Sequence, residues 1–282
     1  MRALLAFLLV TLSASLAPAQ ATSEDELRKE YVGSERMLRH FYASDDLKFD
    51  LDGTPLNTEN TGPWTLLGAV MIQKLSLSSG KLVMQGARGI ISIDDSRRQM
   101  KTIKWHENVR MEIATAPGPD LARLRSALAK IFVPTGPEMI SFLPDYWREY
   151  MTHFFDPSAP APCPEQKDET EPDKGKNADQ SSSQPTHSEK LSVGIAEGNL
   201  IHRIAPHYLP IPRKAGIEGT VGLRGLISKT GDVVNICLEK AMGGGMEEES
   251  VNAVRQWKYS PYLLNGQPVE VETTITLTYR MH

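Results

Sequence analysis

Between Asp156 and Lys190 the chain contains no isoleucine, leucine, valine or aromatic residue. The stretch "PSAPAPCPEQKDETEPDKGKNADQSSSQPTHSEK" is made of proline, small residues, amides and charge instead. Such a segment cannot bury enough apolar surface to offset the entropy of ordering it, so residues 156–192 are expected to be a disordered linker. Its r.m.s. reach, about 5–6 Å times the square root of its length, is ~35 Å. This one feature divides a chain of 282 residues into an N-terminal unit, 22–155, and a C-terminal unit, 193–282. The formal net charge of −4 favours neither nucleic acid nor an anionic membrane surface as a partner.

The first residues, "MRALLAFLLVTLSASLAPAQA", carry one arginine, an apolar run from Ala3 to Leu12 and then small residues. That pattern reads as a cleavable secretory signal over 1–21, cut near Ala19 or Ala21. The rival is a retained membrane anchor. Its apolar core falls short of the ~20 residues a bilayer needs, and Thr11, Ser13 and Ser15 make the continuation more polar. No cysteine lies near the cut, which argues against a lipoprotein. Export places the only two cysteines, Cys163 and Cys237, in an oxidising compartment. Sequence gives no geometry, so a disulfide between them and two free thiols both stay open. A cysteine-based metal site is not suggested.

In the N-terminal unit, "SEDELRKEY" has Ser23 followed three residues later by Glu26, a capping-box pattern for a short helix. "LKFDLDG", "WTLLGAVMIQKLSLSSGKLVMQG", "GIISIDD" and "RQMKTIKWHENVRMEIA" are rich in β-formers and punctuated by turn residues. They predict an antiparallel sheet or small barrel from about residue 35 to 115. In the last of them Met100, Ile103 and Trp105 break strict alternation. Asp120 can cap "LARLRSALAKIF", where Leu121, Leu124, Leu128 and Ile131 recur at helical spacing. "PDYWREYMTHFF" predicts a second helix with Pro144 near its first turn, its aromatic rings packed on the preceding sheet.

The C-terminal unit is the more legible. "EGTVGLRGLIS" and "VVNICLEKA" read as a hairpin around "KTGD", with Gly231 free to take positive φ. "GGGMEEESVNAVRQW" reads as a helix with acidic residues in its first turn, where the helix dipole favours them. Met246, Ser250, Val254 and Trp257 form its apolar face. "VEVETTITLTY" alternates strictly: Val269, Val271, Thr273, Ile275, Leu277 and Tyr279 on one side, Glu270, Glu272, Thr274, Thr276 and Thr278 on the other. One face is expected to be buried and one polar, as in a sheet covered on a single side. After the helix, Pro261 disfavours helical geometry at Ser260, Asn265-Gly266 can turn tightly, and Pro268 starts the last strand.

Taken together, "EGTVGLRGLISKTGDV", "SVNAVRQWKYSPYLLNGQPVEV" and the closing strand resemble the TonB C-terminal domain family over about residues 205–281. The marks are the Gly-x-Val strand, the Gly-Asp-Val turn, the Ala-Val-x-x-Trp helix end, the Tyr-x-Pro and the Asn-Gly-x-Pro-Val. Residues 22–155 also look like the N-terminal region of some TonB-like exported bacterial proteins, with no activity attached. The resemblance implies a small β-β-α-β module with a three-stranded antiparallel sheet, which together with the antiparallel β-rich N-terminal domain, its helices and the disordered linker read above makes an α+β fold. It implies a periplasmic location and binding of an extended segment of an outer-membrane transporter by strand addition at an open sheet edge. Carried over by position, the edge runs from Glu270 to Tyr279, with Glu270, Val271, Glu272, Thr273, Thr274 and Ile275 as contact residues. The family's Tyr-Pro lead-in matches Tyr208-Leu209. Leu209 stands where the family usually has proline, and Pro212 replaces a usual alanine, so a shorter or displaced helix is expected there.

Patterns that could suggest catalytic chemistry have plainer readings. "SSGK" at 78–81 has a nucleophile–base spacing but lies between two strand-like runs and reads as a turn. Gly243-Gly244-Gly245 precedes a helix without a following Gly-Lys-Ser/Thr, and Glu247 to Glu249 would repel phosphate, so it reads as a flexible connection. Asp94-Asp95 with Arg97 and Arg98 reads as a solvated turn. His202 and His207 have a spacing that suits neither one helix face nor one side of a strand, and metal ligation is not expected. The expectation is therefore a non-enzymatic envelope protein without cofactor, whose partner is an outer-membrane transporter segment or another envelope protein. Two alternatives stand beside it. One is a membrane-retained energy transducer working with an inner-membrane motor complex. The other is a scaffold that forms a homodimer through the C-terminal sheet edge.

Overall fold

The computed structural model describes residues 17–57, 61–78, 80–118, 120–134, 136–163, 189–190 and 199–281. The strand-like runs of the N-terminal unit become β2 (Asp46–Phe49), β3 (Ala69–Ser78), β4 (Lys81–Asp94) and β5 (Gln99–Ala114), and two short strands that no run announced, β1 (Glu35–Leu38) and β6 (Phe132–Val133, the latter starting at the residue read as the end of a helix), join them. They form one sheet in the order β2-β5-β4-β3-β1-β6. Its centre is a meander of three long antiparallel strands, β3 to β5, with the 78–81 stretch as the first turn and Gly80 at φ +89°. One edge departs from the expected antiparallel pattern, because β2 runs parallel to β5 from Asp46↔Arg110 to Phe49↔Ile113.

The breaks in alternation have a backbone cause. In β3, Val70 and Ile72 are buried, and then Leu75 and Leu77. The register shifts between Ile72 and Lys74, and one extra residue exchanges the two faces of a strand. In β5 the register shifts opposite Ala87 to Gly89, so that Asn108 and Lys104 are consecutive partners. That shift separates Met100, Ile103 and Trp105 from the buried set Val109, Met111 and Ile113.

Helix α1 (Ala17–Tyr31) and helix α2 (Leu121–Ile131) cover one side of this sheet. Asp120 caps α2 as expected, its carboxylate accepting from Ala122 N at 3.3 Å. The helix start expected at Ser23 falls inside α1, which begins at Ala17. The expected signal cut near Ala19 or Ala21 falls within α1, and residues 1–16 of that segment lie outside the described residues. Among the described residues no helix is long and apolar enough to cross a membrane.

Helix α3 (Asp145–Phe155) does more than pack on its own sheet. Trp147 meets Trp64 at 5.0 Å and Tyr150 at 5.7 Å, and these rings share a buried cluster with Ile90, Ile91 and residues of the C-terminal unit. The C-terminal elements are β7 (Glu189–Lys190), β8 (Leu200–His202), α4 (Pro210–Lys214), β9 (Gly219–Ile227), β10 (Val233–Lys240), α5 (Met246–Val254), β11 (Lys258–Tyr259), β12 (Tyr262–Leu264), β13 (Gln267–Val269) and β14 (Val271–Tyr279). The expected β-β-α-β order is present as β9, β10, α5 and β14, and α4 is a short helix. The sheet differs from the three-stranded expectation. It has four strands, β10-β9-β14-β7, and the fourth is a parallel strand from the segment read as linker.

Two parts of that segment are described, and both touch the folded units. Besides β7, the beginning turns at Asp156, whose carboxylate accepts from Ser158 N at 2.9 Å, and leads to a buried Cys163. Cys163 is disulfide-bonded to Cys237 of β10, which settles the pairing that sequence left open. Arg224 of β9 donates from Nη1 to Cys163 O at 2.6 Å. Residues 164–188 and 191–198 lie outside the described residues.

The glycine run is a correction. Gly243, Gly244 and Gly245 have φ of +86°, +68° and +78° and are buried at the seam between the units. Gly244 N donates to Ile91 O at 2.9 Å, Ile93 N donates to Met242 O at 2.9 Å, and Gly245 N donates to Thr65 Oγ1 at 2.8 Å. A Cβ at Gly243 would lie 2.0 Å from Ile91 O. Glycine is needed here for close backbone approach and left-handed dihedrals, and the run is a strand-to-strand splice instead of a flexible connection.

Candidate functional site

Strand β14 is built as its alternation requires. Val271, Thr273, Ile275, Leu277 and Tyr279 are buried, whereas Thr276 and Thr278 are exposed. On one side it pairs with all of β9, from Val271↔Ile227 to Tyr279↔Gly219. On the other, β7 pairs only with Val271 and Glu272. From Thr273 to Tyr279 that second side has no strand partner among the described residues. A strand edge of this kind presents unpaired backbone donors and acceptors.

The far end of this edge opens on a groove of about 590 Å³ lined by Arg203, Ala205, Pro206, Tyr208, Thr276–Tyr279 and Arg280. Its far wall is the chain between β8 and α4, held by two aromatic side chains. Trp257 Nε1 donates to Ile204 O at 2.7 Å, with the Arg203 guanidinium 5.2 Å from its ring centroid. Tyr208 Oη donates to Ile217 O at 2.6 Å, and its ring lies 5.5 Å from that of Tyr279. Burial raises the pKa of both tyrosine hydroxyls, so they act as neutral hydrogen-bonding groups. Tyr279 in turn shares a 2.7 Å hydrogen bond with Ser250 Oγ, which ties β14 to α5.

The residues carried over by position divide four ways. Tyr208 lies in the groove wall. Glu270 sits between β13 and β14 and is not in the strand. Val271 and Glu272 already carry β7. Thr273, Thr274 and Ile275 lie on the unpaired stretch, but two of their side chains point inward: Thr273 and Ile275 are buried. Thr274 faces the polar side, its Oγ1 donating to Glu239 Oε2 at 3.4 Å, and Glu239 also pairs with Arg224. What these residues offer a partner is therefore backbone. Arg203, Pro206 and Arg280 were missed by sequence reasoning, and so was β7. The signal for Arg203 was its closeness to the tyrosine lead-in, and the signal for β7 was the alternation of Leu191, Val193 and Ile195 that follows Lys190.

The other sites considered in sequence are quiet. His202 and His207 are exposed, and among the described residues no group of three or more His, Cys, Asp or Glu could hold a metal ion. Ser78 Oγ donates to the Lys81 backbone O at 3.4 Å within the turn. Asp94 is held well below the usual carboxylate range by Ser96 and Arg97, and Asp95 accepts from Tyr150 Oη at 2.7 Å.

Residues 204–281 match the family described as Gram-negative bacterial TonB protein C-terminal, the family expected from the motifs. Protein TonB of Vibrio cholerae serotype O1 is 28% identical over 107 residues, covering 35% of this chain and 44% of that protein. Protein TonB of Xanthomonas campestris pv. campestris is 26% identical over 92 residues, 32% of this chain and 40% of that protein. The chain thus spans less than half the length of these relatives. Among solved structures, a TonB2 protein from Vibrio anguillarum is 27% identical, covering 37% of this chain and 99% of that one, with a TM-score of 0.26. The Pseudomonas aeruginosa TonB C-terminal domain, solved in solution, is 20% identical over 29% of this chain and 84% of that one, also with a TM-score of 0.26.

Proposed function

We propose that the C-terminal unit binds an extended segment of an outer-membrane transporter, or of another envelope protein, by adding it as a strand beside β14. The observation that carries this reading is the edge itself: β14 accepts a parallel strand at Val271 and Glu272 and leaves Thr273 to Tyr279 without one among the described residues. Main-chain hydrogen bonds would supply the affinity, and the groove at Arg203, Tyr208 and Arg280 would receive side chains at the end of the added strand. The family match over residues 204–281 supports the choice of a TonB-type partner. The module is a binder without catalytic chemistry of its own, and the N-terminal unit serves as its mount.

The protein is placed in the periplasm by this reading, with 1–21 as a removed signal. The Cys163–Cys237 disulfide is at home in that oxidising compartment. Fractionation distinguishes it from an inner-membrane energy transducer, since full-length chain in the inner-membrane fraction would sink the exported form. The docking edge is tested by titrating the isotope-labelled full chain with N-terminal peptides of outer-membrane transporters. Shift changes and amide protection are expected along Thr273–Tyr279. Their absence at about millimolar peptide, where an encounter of only ~4 kcal/mol is already half saturated, refutes the reading.

A further inference from the structure

The first turn of α5 places two consecutive carboxylates at the seam where the C-terminal unit meets the N-terminal one, and the binding edge makes no use of them. Glu247 is fully buried, and its Oε1 accepts from Met242 N and Gly243 N, in the stretch that splices to β4. Glu248 Oε1 accepts from Trp147 Nε1 of α3 at 3.3 Å. Both contacts of this turn across the seam thus run through a carboxylate. The second oxygen of each, Oε2, is shut off from solvent and has no hydrogen-bond partner among the described residues. A charge on such an oxygen has neither water nor a donor to stabilise it. The dipole of α5 favours negative charge at this end, but that effect is smaller than the loss of water around two enclosed oxygens. Among the described residues, the groups facing the pair supply no cation. Tyr146 and Tyr150 come from α3, Asp95 from just after β4 through its bond with Tyr150, Tyr279 from β14 and Glu249 from α5 itself. The charge of Arg255, just past α5, is felt by Tyr146 and by neither carboxylate. Two adjacent acids without a cation hold fewer charges than they would in water.

We propose that Glu247 and Glu248 form a proton-held latch between the two units: the seam stays closed while the pair keeps its protons, and opens ahead of the rest of the fold as rising pH removes them. Ionised carboxylates need water, and water reaches these only if α5 parts from α3 and from the Met242–Gly243 backbone. The same movements break the Ile93 N–Met242 O and Gly244 N–Ile91 O bonds, so deprotonation and opening are one event. The sign follows from burial, which pushes Glu247 up and, with the Glu247 charge, pushes Glu248 up to about 8. The open seam releases a proton that the closed seam retains, so it gains as pH rises from the ordinary carboxylate range toward about 8. The Cys163–Cys237 disulfide keeps the two units joined while the seam is open, so that it can close again. The latch concerns the mount and not the edge, and stands whether or not β14 binds a partner strand.

The test follows amide exchange of the full chain at several pH values, each rate divided by that of an unprotected amide at the same pH. Gly244 and Ile93 report the seam, and the paired strands β9 and β14 report the fold as a whole. Seam opening is expected to be more frequent than global unfolding, and to grow about tenfold per pH unit between about pH 5.5 and 7.5, as the loss of one proton requires. In Glu248→Gln, whose amide oxygen can still accept from Trp147, that slope is expected to flatten. The carboxyl carbon of Glu248, read by NMR in the unaltered chain, is expected to titrate near pH 8, a measurement that needs no variant to fold. Seam protection that does not change with pH overturns the latch. Equal protection at the seam and in β9 and β14 overturns it as well, because the seam then opens only when the whole chain unfolds. A wild-type pH slope in Glu248→Gln overturns the assignment to this pair, as does a Glu248 carboxyl that titrates in the ordinary range.

Discussion

Replacing Gly243 by alanine separates two readings of the glycine run that differ in sign. A flexible connection would tolerate the change, and reduced freedom in the unfolded chain would even stabilise the protein by about 0.4–1 kcal/mol. The observed splice predicts the reverse. Alanine at φ +86° costs about 1–2 kcal/mol in backbone strain. Its Cβ would lie 2.0 Å from Ile91 O and 2.9 Å from Ile91 C, both backbone atoms that no rotamer change can move. The strands must part, which endangers the Gly244 N–Ile91 O and Ile93 N–Met242 O bonds. Buried groups left unpaired cost about 1–3 kcal/mol each, so a total of about 4 kcal/mol is expected. With a urea slope of roughly 3 kcal/mol per molar, the midpoint followed by tryptophan fluorescence falls by about 1.3 M. Gly266→Ala is the control, because Gly266 also has positive φ, +77°, but a Cβ there meets nothing within 4 Å. It should lose only about 1–2 kcal/mol. Equal midpoints for the two variants would refute the account of the seam.

The other predictions concern the staples of the same seam. Cys163 and Cys237 are 74 residues apart in sequence, and opening a loop of that size costs about 4.5 kcal/mol in the chain-entropy account. Cys237→Ser should therefore lower the urea midpoint, and reductant should lower it in the wild type while leaving the variant unmoved. Glu247 is fully buried, its Oε1 accepting from Met242 N and Gly243 N at 2.7 Å each, and burial pushes its pKa up. Burial and then the Glu247 charge push its neighbour Glu248, which accepts from Trp147 Nε1 at 3.3 Å, up to about 8. A raised folded-state pKa means that the native protein keeps a proton the unfolded chain has released. Stability from this pair is thus fully present in the ordinary carboxylate range and is lost as pH rises toward about 8. The urea midpoint should fall between about pH 5 and pH 8, and less steeply in Glu248→Gln; parallel profiles would count against it.

What could be read in the sequence was what neighbouring residues decide. The alternation of β14, the Gly231 turn and the Met246–Val254–Trp257 face all come from local pattern, and Gly231 proves strictly required, since a Cβ there would lie 1.9 Å from Tyr259 O. What could not be read depends on partners far along the chain. The glycine run looks flexible until β4 is laid against it. Glu247 looks like a solvated first-turn acid until the N–H groups of Met242 and Gly243 are seen to enclose it. The parallel pairing of β2 depends on where the chain brings it, not on strand propensity. The candidate site shares that difficulty. Thr273 and Ile275 were chosen as contact residues, yet their side chains face the core, because the usable groups of an edge are the backbone ones that every residue carries.

An edge of this kind poses a conflict that side-chain sites do not. Unpaired backbone groups along β14 are what a partner strand needs, and the same groups invite pairing with any other chain. The opposite side of the sheet is already secured, where β10 carries the disulfide to Cys163 and lies against α3. Covering β14 with a long strand of its own would remove the hazard and the function together. Leaving it bare would keep both. The described chain sets Glu189 and Lys190 against the start of this edge, at Val271 and Glu272, so the backbone groups there are already engaged, and an incoming strand would find Thr273 to Tyr279 as the stretch without a strand partner among the described residues.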